Sequence, residues 1–587
     1  MPNLPMGIIQ RGLRSVFLAK STRFLCETRW LVCPSPYRRV HGGRESQQKD
    51  KFLITTPIFY VNSVPHLGHL YSAVLADTVH RWQQLKGAGG SIFSTGTDEH
   101  GLKIQQAALS HGKDPLQFCD EVSQHFRNLF SKSHVGHTDF IRTTESRHRK
   151  AVEHFWRKLH SAGYIYQGKY EGWYSTSDEA FVPDNKVMDS VDKATGKNIK
   201  VAIETGSQVE WMEEENYMFR LSEFGPRLLK WLDSNPRAVY PSKYRSLVRG
   251  WLEEGLEDLS VSRQRDRLPW GIPVPDDSTQ TIYVWLDALV NYLTVCGYPD
   301  NHHAHWPADC HVVGKDIARF HAVYWPAFLM AAGLDPPRSV VTHSHWLMES
   351  QKMSKSKGNV VDPFDRIQRY SADGLRYFLL KHGVLETDGD YSDEKVVKVL
   401  NADLAGNIGG LLNRCLATSL NPTQTFPAFS ADMFPVHLGR KSNNLATKED
   451  YKLLKTLQEL PGSVDQHYEN FHIYKVLEET MLCVKQANGF VHRHKPWKLS
   501  DSPQDREWVG TVLHVAMETL RVSGILLQPV MPDLMSRLLS RLGVEETERS
   551  WSDAEKVPCA EGIEAPYVGR TLGVDRGVLF QRLQKKN

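Results

Sequence analysis

Apolar positions along the chain fall into three textures. From Lys51, Phe52-Leu53-Ile54 is the short apolar run of a buried strand, and Thr55-Thr56-Pro57 begins a loop. Leu70, Val74 and Leu75 then share one helical face before the next run, Ser91-Ile92-Phe93-Ser94. The same alternation returns at Thr281-Ile282-Tyr283-Val284 and at His311-Val312-Val313-Gly314, each running into a helix. Two strand–helix halves predict a parallel sheet of Rossmann type, with ligands at the carboxyl ends of its strands. Residues 145–275 between them, rich in Trp, Glu and Tyr, read as an inserted connective domain. Beyond Asp362 the period becomes helical, over Val396–Leu416, Glu449–Leu457 and Tyr474–Val491. Ser419–Ser442 between these helices reads as a surface loop. The predicted architecture is an α/β Rossmann-type catalytic domain with an inserted connective domain, followed by an α-helical bundle.

A chain of 587 residues exceeds one hydrophobic core, and 41% apolar with 24% charged residues is a globular composition. The longest apolar stretch, Val512–Met531, carries Glu518 and Arg521, so no transmembrane helix and no membrane partner are read. The first fifty residues differ. Nine Lys and Arg face only Glu27, Glu45 and Asp50, while Ile9, Leu13, Val16 and Phe17 lie at helical spacing. That is the pattern of a mitochondrial transit peptide without the apolar core of a secretory signal; a disordered basic tail is the other reading. The whole chain carries +3, so without this segment the body is slightly acidic, and any RNA contact must use local basic patches. Eight scattered cysteines with no C-x-x-C argue against a disulfide framework and a Cys-rich zinc site.

Two patches carry chemistry. His66-Leu67-Gly68-His69 follows a strand and opens a helix, and Lys352-Met353-Ser354-Lys355-Ser356 precedes Lys357-Gly358-Asn359. Each places hydrogen-donating or cationic side chains around backbone that can approach phosphate, as stabilising a departing pyrophosphate requires. Trp285, Ala288, Leu289 and Tyr292 share one helix face, and Phe320, His321, Tyr324 and Trp325 share another. Two aromatic faces meeting at strand ends suit a polarizable thioether, and they equally suit an ordinary helix–sheet core.

In this order the two patches resemble the signature sequences of class I aminoacyl-tRNA synthetases. Four further runs narrow the resemblance to the methionyl-tRNA synthetases across residues 50–580: Thr55–Asn62, Gly96–Gly101, Tyr283–Ala288, and Gly314–Ile317 with Phe320-His321. The resemblance implies a methionine–tRNA ligase of the mitochondrial matrix acting on L-methionine, ATP with Mg²⁺, and tRNA(Met). It implies that His66, His69, Lys352 and Lys355 stabilise pyrophosphate, with Gly68 and Ser354 also at ATP. Methionine would meet Ile58, Tyr60, Asp98, Trp285, Ala288, Tyr292 and His321, with Asp98 on its ammonium. Arg414 and Trp497 would meet the anticodon. By sequence alone Asp98 could instead cap a helix, and Trp497 could be a core residue. The implied division is 1–48 transit peptide, 49–144 and 276–340 catalytic halves, 145–275 insertion, 341–394 signature-loop and stem-contact region, 395–545 anticodon-binding domain and 546–587 tail.

Three departures from the family pattern set further expectations. Trp173–Glu179 has no cysteine where many members carry a zinc knuckle, so no zinc and no protein-held metal are expected. Gly410 stands where the family often has Asn, leaving Arg414 alone one turn later. The chain stops soon after Leu579-Phe580-Gln581-Arg582, without room for an appended dimerisation domain, so a monomer is expected. The rivals are less well supported. Leucine, isoleucine and valine enzymes carry a large editing insertion, but only about 280 residues separate the signatures here. A small-molecule adenylyltransferase lacks the long helical region, and a non-catalytic tRNA-binding protein needs neither signature.

Overall fold

Six strands lie side by side in the computed structural model in the order Asp139–Arg142, Ile92–Asp98, Leu53–Tyr60, Cys310–Gly314, Val340–His343 and Val239–Tyr240. Every adjacent pair is parallel. The structure describes residues 51–584 except 176–179, 183, 193–195, 204, 349, 354–359, 435–445, 562–564 and 575–576. The transit-peptide reading of 1–48 lies outside the described residues, as do Ser354 and Lys355. In a doubly wound sheet the strand order reverses between the Leu53–Tyr60 and Cys310–Gly314 strands, so a crevice opens beyond their carboxyl ends.

The sheet departs from the sequence reading in two places. Thr281-Ile282 belongs to the Asp277–Ile282 strand, which pairs antiparallel with Ser262–Gln264 and Pro273–Val274 outside the parallel sheet. A short apolar run fits either kind of sheet, so periodicity alone cannot place it. The edge strand Val239–Tyr240 comes instead from within 145–275, and between Ile165 and Phe219 that stretch otherwise builds an antiparallel sheet.

Two cores result. Ile54, Leu70 and Val74 of the first half are continuous with Phe378, Leu411, Val484 and Leu520 of the helical region. Trp156, Phe219 and Leu228 join Leu286, Val313, Trp325 and Phe328 of the second half in the other. The helical region comprises Lys448–Glu469, Ile473–His494, Pro503–Leu527 and Pro532–Arg541, preceded by a helix that widens to a π-helix over Asn401–Gly409 and tightens again over Gly410–Cys415. Pro503–Leu527 is long and apolar enough to cross a membrane, yet 89% of its apolar window is buried in the protein. Its Glu518 and Arg521 pair at 2.7 Å inside that core. The described part of Ser419–Ser442 is no simple surface loop: Phe426 and Phe434 are buried, and Phe426 N–H donates to Arg570 O at 2.8 Å.

Candidate active site

The Leu53–Tyr60 strand carries a bulge opposite Ile92–Asp98: Thr56 and Pro57 face the single Thr95 between the pairs Thr55–Ser94 and Ile58–Gly96. Proline is tolerated there because a bulge interrupts the ladder, and the extra residue twists the strand end that carries Ile58 and Tyr60. Gly96 is required by packing, since a Cβ would lie 1.9 Å from Ile141 O on the next strand. The two strands finish in register, Tyr60 opposite Asp98.

The Leu67–Leu85 helix starts at His66. Gly68 N–H donates to His66 Nδ1 at 3.1 Å, and His66 N–H donates to His69 Nδ1 at 3.2 Å, a reciprocal cap made by two imidazoles. Because each Nδ1 accepts, each neutral ring carries its proton on Nε2. The rings stack with centroids 3.8 Å apart, and a Cβ on residue 68 would press to 3.0 Å on the His66 ring. His66 and His69 thus carry two N–H donors on stacked rings at a helix N-terminus, an arrangement suited to phosphate oxygens. Lys352 opposes Leu347 in a short antiparallel pair beyond the Val340–His343 strand, and Met353 packs on the core.

The Val284–Thr294 helix packs on the first strand. At its start Trp285 stacks on Phe320, centroids 3.6 Å apart and 12° from parallel. Deeper along the same face lie Ala288 and Tyr292, both buried. His321 Nδ1 donates to Ile317 O at 2.9 Å, which leaves Nε2 to accept the Tyr292 hydroxyl at 2.7 Å. Burial lowers the His321 pKa to about 4, so this imidazole is neutral at physiological pH. Two aromatic pairs thus flank this helix face, Trp285 with Phe320 at its start and Tyr292 with His321 two turns on, with Ala288 between them in sequence.

Asp98 is the last residue of its strand, and the loop that follows it is held from both sides. Its neighbour Glu99 is buried and receives Arg142 at 2.7 and 2.9 Å. His100 Nδ1 meets Asp287 Oδ2 at 2.6 Å, and His148 Nε2 meets Asp287 Oδ1 at 2.8 Å. Burial pushes the Asp287 carboxyl up, but His100 and His148 outweigh it and hold its pKa at about 2. The sequence reading assigned no role to His100, Asp287 or His148, although two of them lie inside runs it singled out. It also passed over Arg263, buried beneath the Tyr283 ring at 4.7 Å and donating to Ser260 Oγ at 2.8 Å. Arg263 lines a cavity of about 300 Å³ together with Gly101, Tyr174, Met212 and Val284, adjoining the loop that follows Asp98.

Arg414 and Trp497 lie elsewhere, each against a residue in the second half of the Ile473–His494 helix. Arg414 Nη1 donates to Asn488 Oδ1 at 2.6 Å. One turn beyond Asn488, the His492 ring lies 6.3 Å from the Trp497 ring. Lys495 ends the helix in the left-handed region, φ 42°, and Pro496 starts the next turn, which leaves Trp497 48% exposed rather than in the core. Arg414, His492, Lys495 and Lys498 are also exposed, a local basic and aromatic surface. Among the described residues no group of three or more His, Cys, Asp or Glu is arranged to hold a metal.

The family model for tRNA synthetases class I (M) matches residues 52–416. The chain is 54% identical over 576 residues to the mitochondrial methionine–tRNA ligase of Takifugu rubripes, which covers 98% of this chain and 97% of that protein. Identity to the mitochondrial methionine–tRNA ligase of Homo sapiens is 55% over 536 residues, 90% of each chain. The fold is similar to Mycobacterium tuberculosis methionyl-tRNA synthetase in complex with methionyl-adenylate, with a TM-score of 0.82 and 35% identity, covering 91% of this chain and 100% of that one.

Proposed function

The chain belongs to the class I methionyl-tRNA synthetases, and from that premise we propose how it works as a methionine–tRNA ligase. Methionine and ATP meet at the carboxyl ends of the Leu53–Tyr60 and Cys310–Gly314 strands. The thioether lies against Trp285, Ala288, Tyr292 and His321, with Ile58 and Tyr60 alongside, and sulfur gains from aromatic contact. Asp98 holds the ammonium. The methionine carboxylate attacks the α-phosphorus; the bond to the β-phosphate oxygen breaks, and pyrophosphate leaves. His66 and His69 donate from Nε2 to the phosphate oxygens as their charge grows, joined by Lys352, Ser354 and Lys355, with Gly68 leaving room for the caps. Positioning and charge stabilisation carry this step without a protein nucleophile.

The groups assigned to the phosphates are donors, which suit anions and not a cation. Mg²⁺ therefore enters as part of the ATP complex. A hydroxyl of the terminal tRNA ribose next takes the aminoacyl group from AMP. Arg414 and Trp497 meet the anticodon of tRNA(Met), the enzyme acts as a monomer in the mitochondrial matrix, and it needs no zinc.

The observation that supports this reading is the paired-imidazole cap that follows the Leu53–Tyr60 strand at the switch point of the sheet, where Tyr60 stands opposite Asp98. Amino-acid-dependent ATP–pyrophosphate exchange, screened over all twenty amino acids, tests it. Exchange with methionine alone is expected; exchange with leucine, isoleucine or valine in preference would refute the pocket assignment.

A further inference from the structure

Resting on the reading that the Arg414–Trp497 face meets the anticodon, we propose that Asn488 is a positioning residue that aims Arg414 at its base. The argument starts in the backbone. Where the π-helix Asn401–Gly409 passes into the Gly410–Cys415 helix, Asn407 O accepts from Gly410 N–H and also from Asn488 Nδ2, the latter at 3.0 Å. The second Nδ2 hydrogen goes to Val484 O, again at 3.0 Å. An amide that gives both N–H groups to carbonyls has a single orientation, with its oxygen on the opposite side. That oxygen receives Arg414 Nη1 at 2.6 Å.

The consequence is a guanidinium tethered at Nη1 before any RNA arrives. An exposed arginine otherwise loses rotamer freedom on binding, and its planar fork is useful only when its orientation is fixed. Support has to come from the neighbouring helix. One turn before Arg414 stands Gly410, where an added Cβ would meet nothing within 4 Å. Asn488 also stands one turn before His492, whose ring approaches Trp497. Both amide hydrogens are committed to carbonyls, so Asn488 orients Arg414 and does not itself read a base.

A double-mutant cycle tests the proposal, with tRNA(Met) charging and pyrophosphate exchange measured in parallel for wild type, Asn488→Ala, Arg414→Ala and the double variant. Asn488→Ala is expected to lower kcat/KM for tRNA about three- to tenfold, mainly through KM, because the freed arginine must then lose its rotamer freedom on binding. Its pyrophosphate exchange should be unchanged, and the double variant should match Arg414→Ala. Additive losses, unchanged charging by Asn488→Ala, or equal losses in both assays would each overturn it. Full charging by Arg414→Ala would instead overturn the anticodon reading on which the proposal rests. If Asn488→Ala does not fold, Asn488→Gln, which moves the oxygen by one methylene within a helix-tolerant side chain, runs the same cycle with the same outcomes.

Discussion

Arg376 and Asp77 stand 2.6 Å apart with both side chains wholly buried, and they tie the helix that begins at His66 to the helical region. Asp77 also takes Arg81 at 2.9 Å and Gly136 N–H at 2.7 Å. Arg376 also donates to Val530 O at 2.8 Å and Pro529 O at 2.9 Å, in the turn between the last two bundle helices, and to Ser133 O at 3.3 Å. Removing one partner leaves a buried charge uncompensated, at a cost of about 3–5 kcal/mol. Asp77→Asn and Arg376→Leu are each expected to lower the urea midpoint accordingly. Burial raises the Asp77 pKa, but Arg376 and Arg81 outweigh it and leave it below its ordinary value. The native state thus binds this proton less tightly than the unfolded chain. The stability Asp77 contributes is complete above about pH 4 and is lost as pH falls further.

Two buried histidines set a second acid limit. Burial lowers the pKa of both His321 and His343 to about 4. Between that value and the ordinary one near 6.5, the unfolded chain binds protons that the native state refuses. Stability is therefore expected to fall as pH drops from about 6.5 to about 4. Urea unfolding across that range measures the slope, which His343→Gln should reduce. The methionine KM should show no titration of His321 between pH 6 and 8.

Capping and chemistry at His66 can be separated. Asparagine is among the best helix N-caps, so His66→Asn should keep the helix start and the melting temperature. It removes the Nε2 donor, and loss of one such donor costs about 10²–10³ in kcat. Pyrophosphate exchange with a nearly unchanged methionine KM is the expected pattern. A large rise in KM at constant kcat would place His66 on methionine instead.

In the proposed site, Asp98→Asn would convert a charge-assisted bond to the substrate ammonium into a neutral one, a loss of about 1.5–3 kcal/mol. The methionine KM should rise by one to two orders of magnitude and the ATP KM should hold. The reverse pattern would assign Asp98 to the nucleotide.

For Trp497→Ala the two halves of the reaction should part. Stacking one base on an aromatic ring is worth roughly 1–3 kcal/mol, so tRNA charging efficiency should fall about ten- to a hundredfold. Pyrophosphate exchange precedes tRNA and should stay near wild type. Equal losses in both assays would make Trp497 a fold residue.

The sequence showed the central strands and the long helices because apolar runs and 3.6-residue periods record burial directly. Local pattern is silent about strand partners: Thr281-Ile282 is as apolar as a parallel strand, yet pairs antiparallel with Ser262–Gln264. Val239–Tyr240 is too short to give a period at all. At the site, His66, His69, Asp98 and the aromatic stripes could be marked by motif, since their neighbours in sequence are also their neighbours in space. His148 and Arg263 could not, because each reaches its partner ring or carboxylate through tertiary packing. The same holds for Asn488, which lies 74 residues from Arg414 along the chain.

The reciprocal cap of His66 and His69 makes the reading frame of one helix a condition of activity. Both imidazoles are aimed by the first turn's own N–H groups, so shifting the helix start by one residue would redirect both at once and leave most of the fold in place. A single-residue insertion or deletion between Pro65 and Leu70 should therefore give a folded but inert protein. Along this stretch, length is constrained as tightly as residue identity, and natural variation should take the form of substitution with the spacing kept.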